Sequence, residues 1–345
     1  MIFRISLAVC VGFISSYFIY YFPYHYFLTS VGIDINYWFS FFYVLFVAFI
    51  LTLYFLTSLT FYPIKLFVYS GLAVGFYGLI YSFTSFVIKN FFDFNAILFM
   101  PMVLITIVGY GRLNARKIKI KTIEISSKKI KENNRVAFIS DVHLGSQPVS
   151  YLSRIIDLIK DSNVDALLIG GDLIDSSSFD LRSLDIFSSL SIPIFYVTGN
   201  HEFYIRDSQN KINELSDYGI ISLDNLTQIF NDIELIGLGD NQSKKDQLDF
   251  INTINSSSRF RILLVHKPWL WPDVHDQVDL MLSGHTHAGQ LYPFHWLVQL
   301  QFSFYYGLYN HKHAQAYVSS GVGCWGPNVR VGSSNEIVIL NLKND

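Results

Sequence analysis

The sequence predicts an α/β domain set behind a four-helix membrane region, and three observations predict it. Only Arg4, Asp34, Lys65, Lys89 and Asp93 carry charge among the first 110 of the 345 residues, which are otherwise crowded with Phe, Tyr, Leu and Ile. From about residue 113 onward, short β-branched runs alternate with amphipathic segments, as strands alternate with helices. Five of those runs stop directly at side chains that bind cations.

Apolar stretches of about 18 residues or more span a bilayer. Four stretches approach or exceed that length, at residues 5–21, 39–59, 66–88 and 96–110, the fourth being the shortest. Breaks are expected at Pro23, at Pro63 with Lys65, and from Lys89 to Asp93. A buried soluble bundle would show polar faces at a period of 3.6, and none is visible. The first stretch is longer than the apolar core of a signal peptide, usually about 7–15 residues. No small-x-small cleavage site follows it. Residues 1–112 are therefore read as a transmembrane region, and 113–134 as a basic linker with the first strand.

That linker is basic at once: Arg112, Arg116, Lys117, Lys119, Lys121, Lys128, Lys129 and Lys131, with Glu124 among them. Positive charge next to a span marks the cytoplasmic side, so residues 135–345 are expected in the cytosol and, with four spans, Met1 as well. The protein is thus read as a multi-pass membrane protein, of the inner membrane if bacterial. The bilayer is its expected partner, and the basic run fits a topology determinant and a grip on anionic headgroups equally. Cys10 and Cys324 lie far apart in sequence, so no disulfide framework is implied. A net charge of −2 and the lack of a glycine-rich nucleotide loop argue against nucleic acid as a partner. Oligomeric state is left open.

In the soluble part, strands are expected at 136–140, 166–170, 195–198, 262–265 and 280–283, with helices at 151–160, 181–190 and 206–218. Strand candidates at 232–238, 315–319 and 336–342 lack helices between all of them, as a second sheet would. The first five strands run into Asp141-Val142-His143, Gly171-Asp172-Leu173-Ile174-Asp175, Gly199-Asn200-His201-Glu202, His266 and Gly284-His285-Thr286-His287. Ligands gather outside the carboxyl ends of strands in α/β sheets, so these side chains are expected to converge at one sheet edge. Carboxylate, imidazole and amide oxygen together suit two first-row divalent ions, Mn, Fe or Zn. Such a pair, roughly 3.5–4 Å apart, activates water and clamps phosphoryl oxygens.

From residue 135 to the C-terminus the chain resembles the calcineurin-like metallophosphoesterases, whose pattern is D-x-H, G-D-x-x-D, G-N-H-[DE], a lone His and G-H-x-H. The resemblance implies a double-sheet α-β-β-α sandwich. It makes Asp141, His143, Asp172 and His287 the first metal site, and Asp172, Asn200, His266 and His285 the second, bridged by Asp172. It implies that His201 contacts phosphate or protonates the leaving oxygen and that Asp175 orients it. Residues 321–330, Gly321-Val322-Gly323-Cys324-Trp325-Gly326-Pro327-Asn328-Val329-Arg330, look like the signature of the family's membrane-associated branch, with Arg330 the candidate anion contact. That branch often has Arg before the first Gly, where this chain has Ser320.

Between His287 and Lys312 runs a stretch without Asp, Glu, Lys or Arg, rich in aromatic and aliphatic residues from Leu291 to Tyr309. It reads as ordinary core or as a membrane-dipping lid or acyl-chain groove. The resemblance implies hydrolysis of a phosphodiester or pyrophosphate bond in a lipid or lipid-linked substrate such as UDP-2,3-diacylglucosamine. A tethered general phosphodiesterase and a non-enzymatic membrane sensor or scaffold are the rival readings.

Overall fold

The computed structural model describes residues 2–57, 62–92 and 94–345. Two compact units make up the chain: Met1–Leu113 with Gly326–Val329, and Asn114–Trp325 with Arg330–Asp345.

The first unit is helical: α1 Ile2–Ser15, α2 Phe22–Ser30, α3 Tyr37–Thr57, α4 Tyr62–Phe92 and α5 Met100–Ala115. Four stretches are long and apolar enough to cross a membrane, Ile5–Ser30, Tyr37–Tyr54, Pro63–Phe92 and Ala96–Ala115. The expected break at Pro23 does not occur. A π-helical turn, Ser16–Tyr21, leads straight into α2, and Pro23 sits in the first turn of α2, where a missing N–H breaks no helical bond. Lys89 likewise falls inside α4 rather than after it. Residues 58–59 of the expected second span, and Asp93, lie outside the described residues. Phe39, Phe42, Phe46 and Phe49 share one face of α3 and are 59–64% exposed, the reverse of a soluble helix, which buries such a stripe. Small residues let the helices close up on the inner side. A Cβ on Gly71 would stand 2.0 Å from the Tyr20 ring, and the Tyr20 hydroxyl donates to the Val68 carbonyl at 2.6 Å.

The second unit holds twelve strands, β1 Ile118–Ser126, β2 Asn134–Ile139, β3 Ala166–Gly170, β4 Ile194–Val197, β5 Ile220–Ser222, β6 Leu226–Phe230, β7 Ile233–Leu238, β8 Phe260–Val265, β9 Leu280–Ser283, β10 Gly307–His311, β11 Ala314–Val318 and β12 Asn335–Lys343. They form two six-stranded sheets, ordered β1-β12-β2-β3-β4-β5 and β10-β11-β9-β8-β7-β6. In the first, β2 to β5 run parallel and β12 is antiparallel to β2. Alternate residues do different work along each strand. Phe138, Leu168 and Val197 face Leu235, Leu264 and Leu282 in a core between the sheets. Ala137, Ile139, Leu167 and Ile169 face outward onto Leu152, Ile155, Ile156 and Ile159 of α6, Val149–Asp161. The second sheet packs its outer face on α8, Lys244–Thr253, and the short α9, Trp271–Val274, through Ile251, Trp271 and Val274. Burial on both faces is why these strands read as continuous apolar runs instead of alternating ones.

The segment 113–134 contains the expected first strand, β1, which pairs in parallel with β12 over its whole length and forms the outer strand of the first sheet. Two expectations change. The helix expected at 181–190 is a 3-10 turn, Leu181–Ser189, and 206–218 is split into α7, Ser208–Glu214, and a 3-10 turn, Leu215–Tyr218. The motif-bearing strands do not share one sheet: β2, β3 and β4 lie in the first and β8 and β9 in the second.

Candidate metal centre

Convergence is therefore between sheets, at the carboxyl ends of strands stacked over one core. The turns that achieve it are sharp. Asp141, His143, Asp172, His285 and His287 all have left-handed φ, between 50° and 71°. Each such residue without a glycine's freedom costs about 1–3 kcal/mol and persists only where surroundings enforce it. Two glycines make room: a Cβ on Gly199 would stand 2.2 Å from Asp172 Oδ1, and one on Gly284 would stand 2.3 Å from Asp141 Oδ2.

Three groups result, Asp141 with His143 and His287, Asp172 with His266 and His285, and His143 with Asp175 and His201, each with ligand atoms within 4.8 Å of one another. His143 Nε2 faces His287 Nε2 at 3.1 Å, and His266 Nε2 faces His285 Nδ1 at 3.2 Å. Asp172 Oδ2 lies 3.2 Å from His266 Nε2 and 3.9 Å from His143 Nε2, between the first two groups. Asn200 Oδ1 is buried without a hydrogen-bond partner. Paired imidazole nitrogens, a carboxylate between them and an orphaned amide oxygen are what two divalent cations satisfy, so the donor set fits.

Outside this centre, His275, Asp276 and His311 also cluster. There the two rings stack at 3.8 Å with planes 26° apart, and Lys312 already holds Asp276 at 3.1 Å.

Burial sets the electrostatics. It pushes His201 down to about 4 and holds His285 and His287 well below the ordinary imidazole value. Burial acts in the same sense on His266, but the charge of Asp172 overrides it and raises His266 to about 10. Burial also raises Asp141 and lifts Glu202 to about 7. On Asp172 the burial effect is outweighed by His266, His201 and His143, which hold it well below the carboxylate range.

Residues 134–289 match the calcineurin-like phosphoesterase family. The chain carries a calcineurin-like metallophosphoesterase domain. It is 36% identical over 240 residues to an uncharacterized metallophosphoesterase of Campylobacter jejuni, covering 65% of this chain and 63% of that one. An uncharacterized metallophosphoesterase of Helicobacter pylori strain J99 is 34% identical over 243 residues, covering 65% and 64%. A transmembrane protein with metallophosphoesterase domain from Danio rerio is 33% identical over 260 residues, covering 68% and 60%. The matches thus span somewhat under two thirds of these relatives' own lengths.

Within the metallophosphoesterase domain, His201 is partly exposed, at 16%, with Nε2 4.0 Å from Asp172 Oδ2. Asp175 does not hold it by a hydrogen bond. Its Oδ2 lies 3.5 Å from His143 Nδ1 and its Oδ1 accepts from the Ser146 N–H at 2.9 Å. Arg330 is not placed to meet substrate. It is fully buried, and its guanidinium donates to the carbonyls of His287, Ser320 and Gly323 at 3.0, 2.6 and 2.6 Å and to Ser333 Oγ at 3.1 Å. The expected anion contact is instead a bolt behind a metal-ligand turn.

The apolar stretch divides in two. Phe302 is buried against the His285 ring at 5.3 Å, and Phe304 and Tyr309 pack edge to face at 5.0 Å against the outer core of the second sheet. Before them stands α10, His295–Gln301, with no buried residue. Tyr292, Trp296, Leu297 and Leu300 are 49, 57, 58 and 85% exposed. Both flanks are tied beside the ligands: the Tyr292 N–H donates to Val331 at 2.8 Å, and the Thr286 hydroxyl, one residue before His287, donates to the Tyr305 carbonyl.

Proposed function

We propose that this protein is a membrane-bound, two-metal phosphoesterase that cleaves a phosphodiester or pyrophosphate bond in a lipid-linked substrate, UDP-2,3-diacylglucosamine being the leading candidate. The observation that carries the lipid reading is α10: a helix without Asp, Glu, Lys or Arg that shows Trp296, Leu297 and Leu300 to the surface, with the chain just after it, at Tyr305, fastened to the turn bearing His285 and His287. Exposed apolar surface of this kind is costly in water and useful against acyl chains. Four helices able to span a membrane and a relative named as a transmembrane protein support the same reading. The exposed Arg116, Lys117 and Lys119 at the start of the domain support a cytosolic catalytic face.

Asp141, His143, Asp172 and His287 would hold one ion and Asp172, Asn200, His266 and His285 the other, both Mn, Fe or Zn by donor type. Bound there, the ions supply an acidified water and a clamp on phosphoryl oxygens, so no side-chain nucleophile is needed. Asp172 would share its carboxylate between the sites. His201, held low by burial and thus neutral at physiological pH, would donate an N–H to a phosphoryl or leaving oxygen. Burial of Asp141 and His266 keeps bulk water from competing at the inner wall.

Full-length protein in nanodiscs, assayed with Mn²⁺ against diacylated nucleotide-sugar, phospholipid, a cyclic nucleotide and a small chromogenic diester, tests this. Preference for the diacylated substrate is expected. Equal turnover of the soluble diesters would make it a tethered general phosphodiesterase, and metal binding without turnover of any of them a sensor or scaffold.

A further inference from the structure

Glu202, the last residue of the Gly-Asn-His-Glu turn, has no part in the chemistry above, yet it is 1% exposed and beneath the centre. Its two carboxylate oxygens accept three backbone N–H groups, from Asp172 at 3.1 Å, Ile174 at 2.9 Å and Gly199 at 2.8 Å. Two of these belong to the turn after β3 and one to the turn after β4. These are the turns that carry Asp172, between the first two groups, and Asn200, with its orphaned oxygen. They are also pressed together, with Asp172 in a left-handed conformation and no room for a Cβ on Gly199.

We infer that Glu202 is the positioning residue that sets the metal–metal spacing, by locking the Asp172 turn to the Asn200 turn from below. Hydrogen bonds to a carboxylate are roughly twice as strong as neutral ones, and three of them offset the cost of the left-handed Asp172 before any ion arrives. An amide in place of the carboxylate loses half of this acceptor capacity while keeping volume. Glu202→Gln therefore slackens the Asp172–Asn200 relation, on which the second site depends through two ligands and the first through Asp172 alone, while Asp141, His143 and His287, none of which bonds Glu202, stay in place. The first ion should bind with near wild-type affinity and the second about 10–100-fold more weakly, the range for lost outer partners of metal ligands.

This inference rests on the two-metal reading, and the test separates the two. Full-length wild-type protein and the Glu202→Gln and Glu202→Asp variants are titrated with Mn²⁺ alone and followed by electron paramagnetic resonance, which distinguishes a spin-coupled pair from isolated ions. Wild type should form the pair at two equivalents. Glu202→Gln should show isolated ions at two equivalents and form the pair only in large excess, with activity restored there, while Glu202→Asp, which keeps the charge, should fall between. A normal pair in Glu202→Gln, or an equal loss of both ions that excess Mn²⁺ does not restore, overturns the inference. Wild type that never forms a pair overturns the two-metal reading itself.

Discussion

Asp175 Oδ2 stands 3.5 Å from Nδ1 of His143, on the side of the ring opposite the nitrogen that faces His287. A carboxylate on the far nitrogen fixes a ligand imidazole's tautomer and raises its basicity. Asp175→Asn should thus weaken the first metal site about 10–100-fold, seen by competition with a chelator, and leave the pH profile of turnover in place. A shifted profile with unchanged metal affinity would return Asp175 to His201.

Arg330 offers a sharper choice. Its guanidinium fills four acceptors on three separate segments, and leaving buried acceptors unpaired costs about 1–3 kcal/mol each. Arg330→Met should lower the melting temperature of the metal-free protein by well over 5 °C, since about 1 kcal/mol moves a domain of this size by 2–4 °C. For the fraction that folds, KM for a small diester should be unchanged. A raised KM with normal melting would show a substrate contact.

Acid should destabilise the metal-free protein. His201, His285 and His287 are held below their ordinary value of 6.5, so below pH 6.5 the unfolded chain takes up protons that the folded one refuses, and stability falls with pH. Glu202, raised to about 7, opposes this between pH 7 and its ordinary 4.5 by taking its proton while folded. Raised His266 contributes stability that is complete below 6.5 and lost only toward pH 10. Asp141, Asp224 and Asp240, raised by burial, act in the same sense as Glu202; where the three imidazoles prevail, melting temperature should fall from pH 6.5 to 5, and saturating Mn²⁺ should flatten the slope.

The topology has its own test. Reporter fusions after Asp345 and in the α2–α3 connection near Asp34 should report opposite compartments, with Asp345 inside. Asp345 outside would remove any cytosolic substrate from consideration.

The ligands were legible because each ends an apolar run, and a strand that stops at Asp141 or Asp172 needs no partner sequence to be recognised. What the run cannot show is direction. The left-handed φ at Asp141, His143, Asp172, His285 and His287 has no local signature, since it is imposed by packing between two sheets. Motif spacing tells which residues gather, as Asp175, His143 and His201 do, and not which of two neighbouring imidazoles a carboxylate meets; nor does it show that Arg330 is buried. Glu202 was visible in its motif, but its three N–H partners come from turns about thirty residues apart as well as its own. Pro23 failed as a helix stop because a π-turn ahead of it made it a first-turn residue.

The apolar stretch now supports a narrower experiment than its sequence did. Phe304 packs on the second sheet's core and is unsuitable as a probe, whereas Trp296 and Leu300 stand 57 and 85% exposed on α10. Surface replacements away from packing usually change stability by no more than about 0.5 kcal/mol, so Trp296→Ser with Leu300→Ser should fold and bind metal normally. Each buried methylene contributes about 0.8 kcal/mol, so even four methylenes lost from contact with an acyl chain cost about 3 kcal/mol, roughly a hundredfold. kcat/KM for a long-chain substrate should fall to that extent, less for a short-chain one, and not at all for a small chromogenic diester that cannot reach α10. Equal losses on all three substrates would assign α10 to the architecture of the metal centre and remove the main support for a lipid-linked substrate.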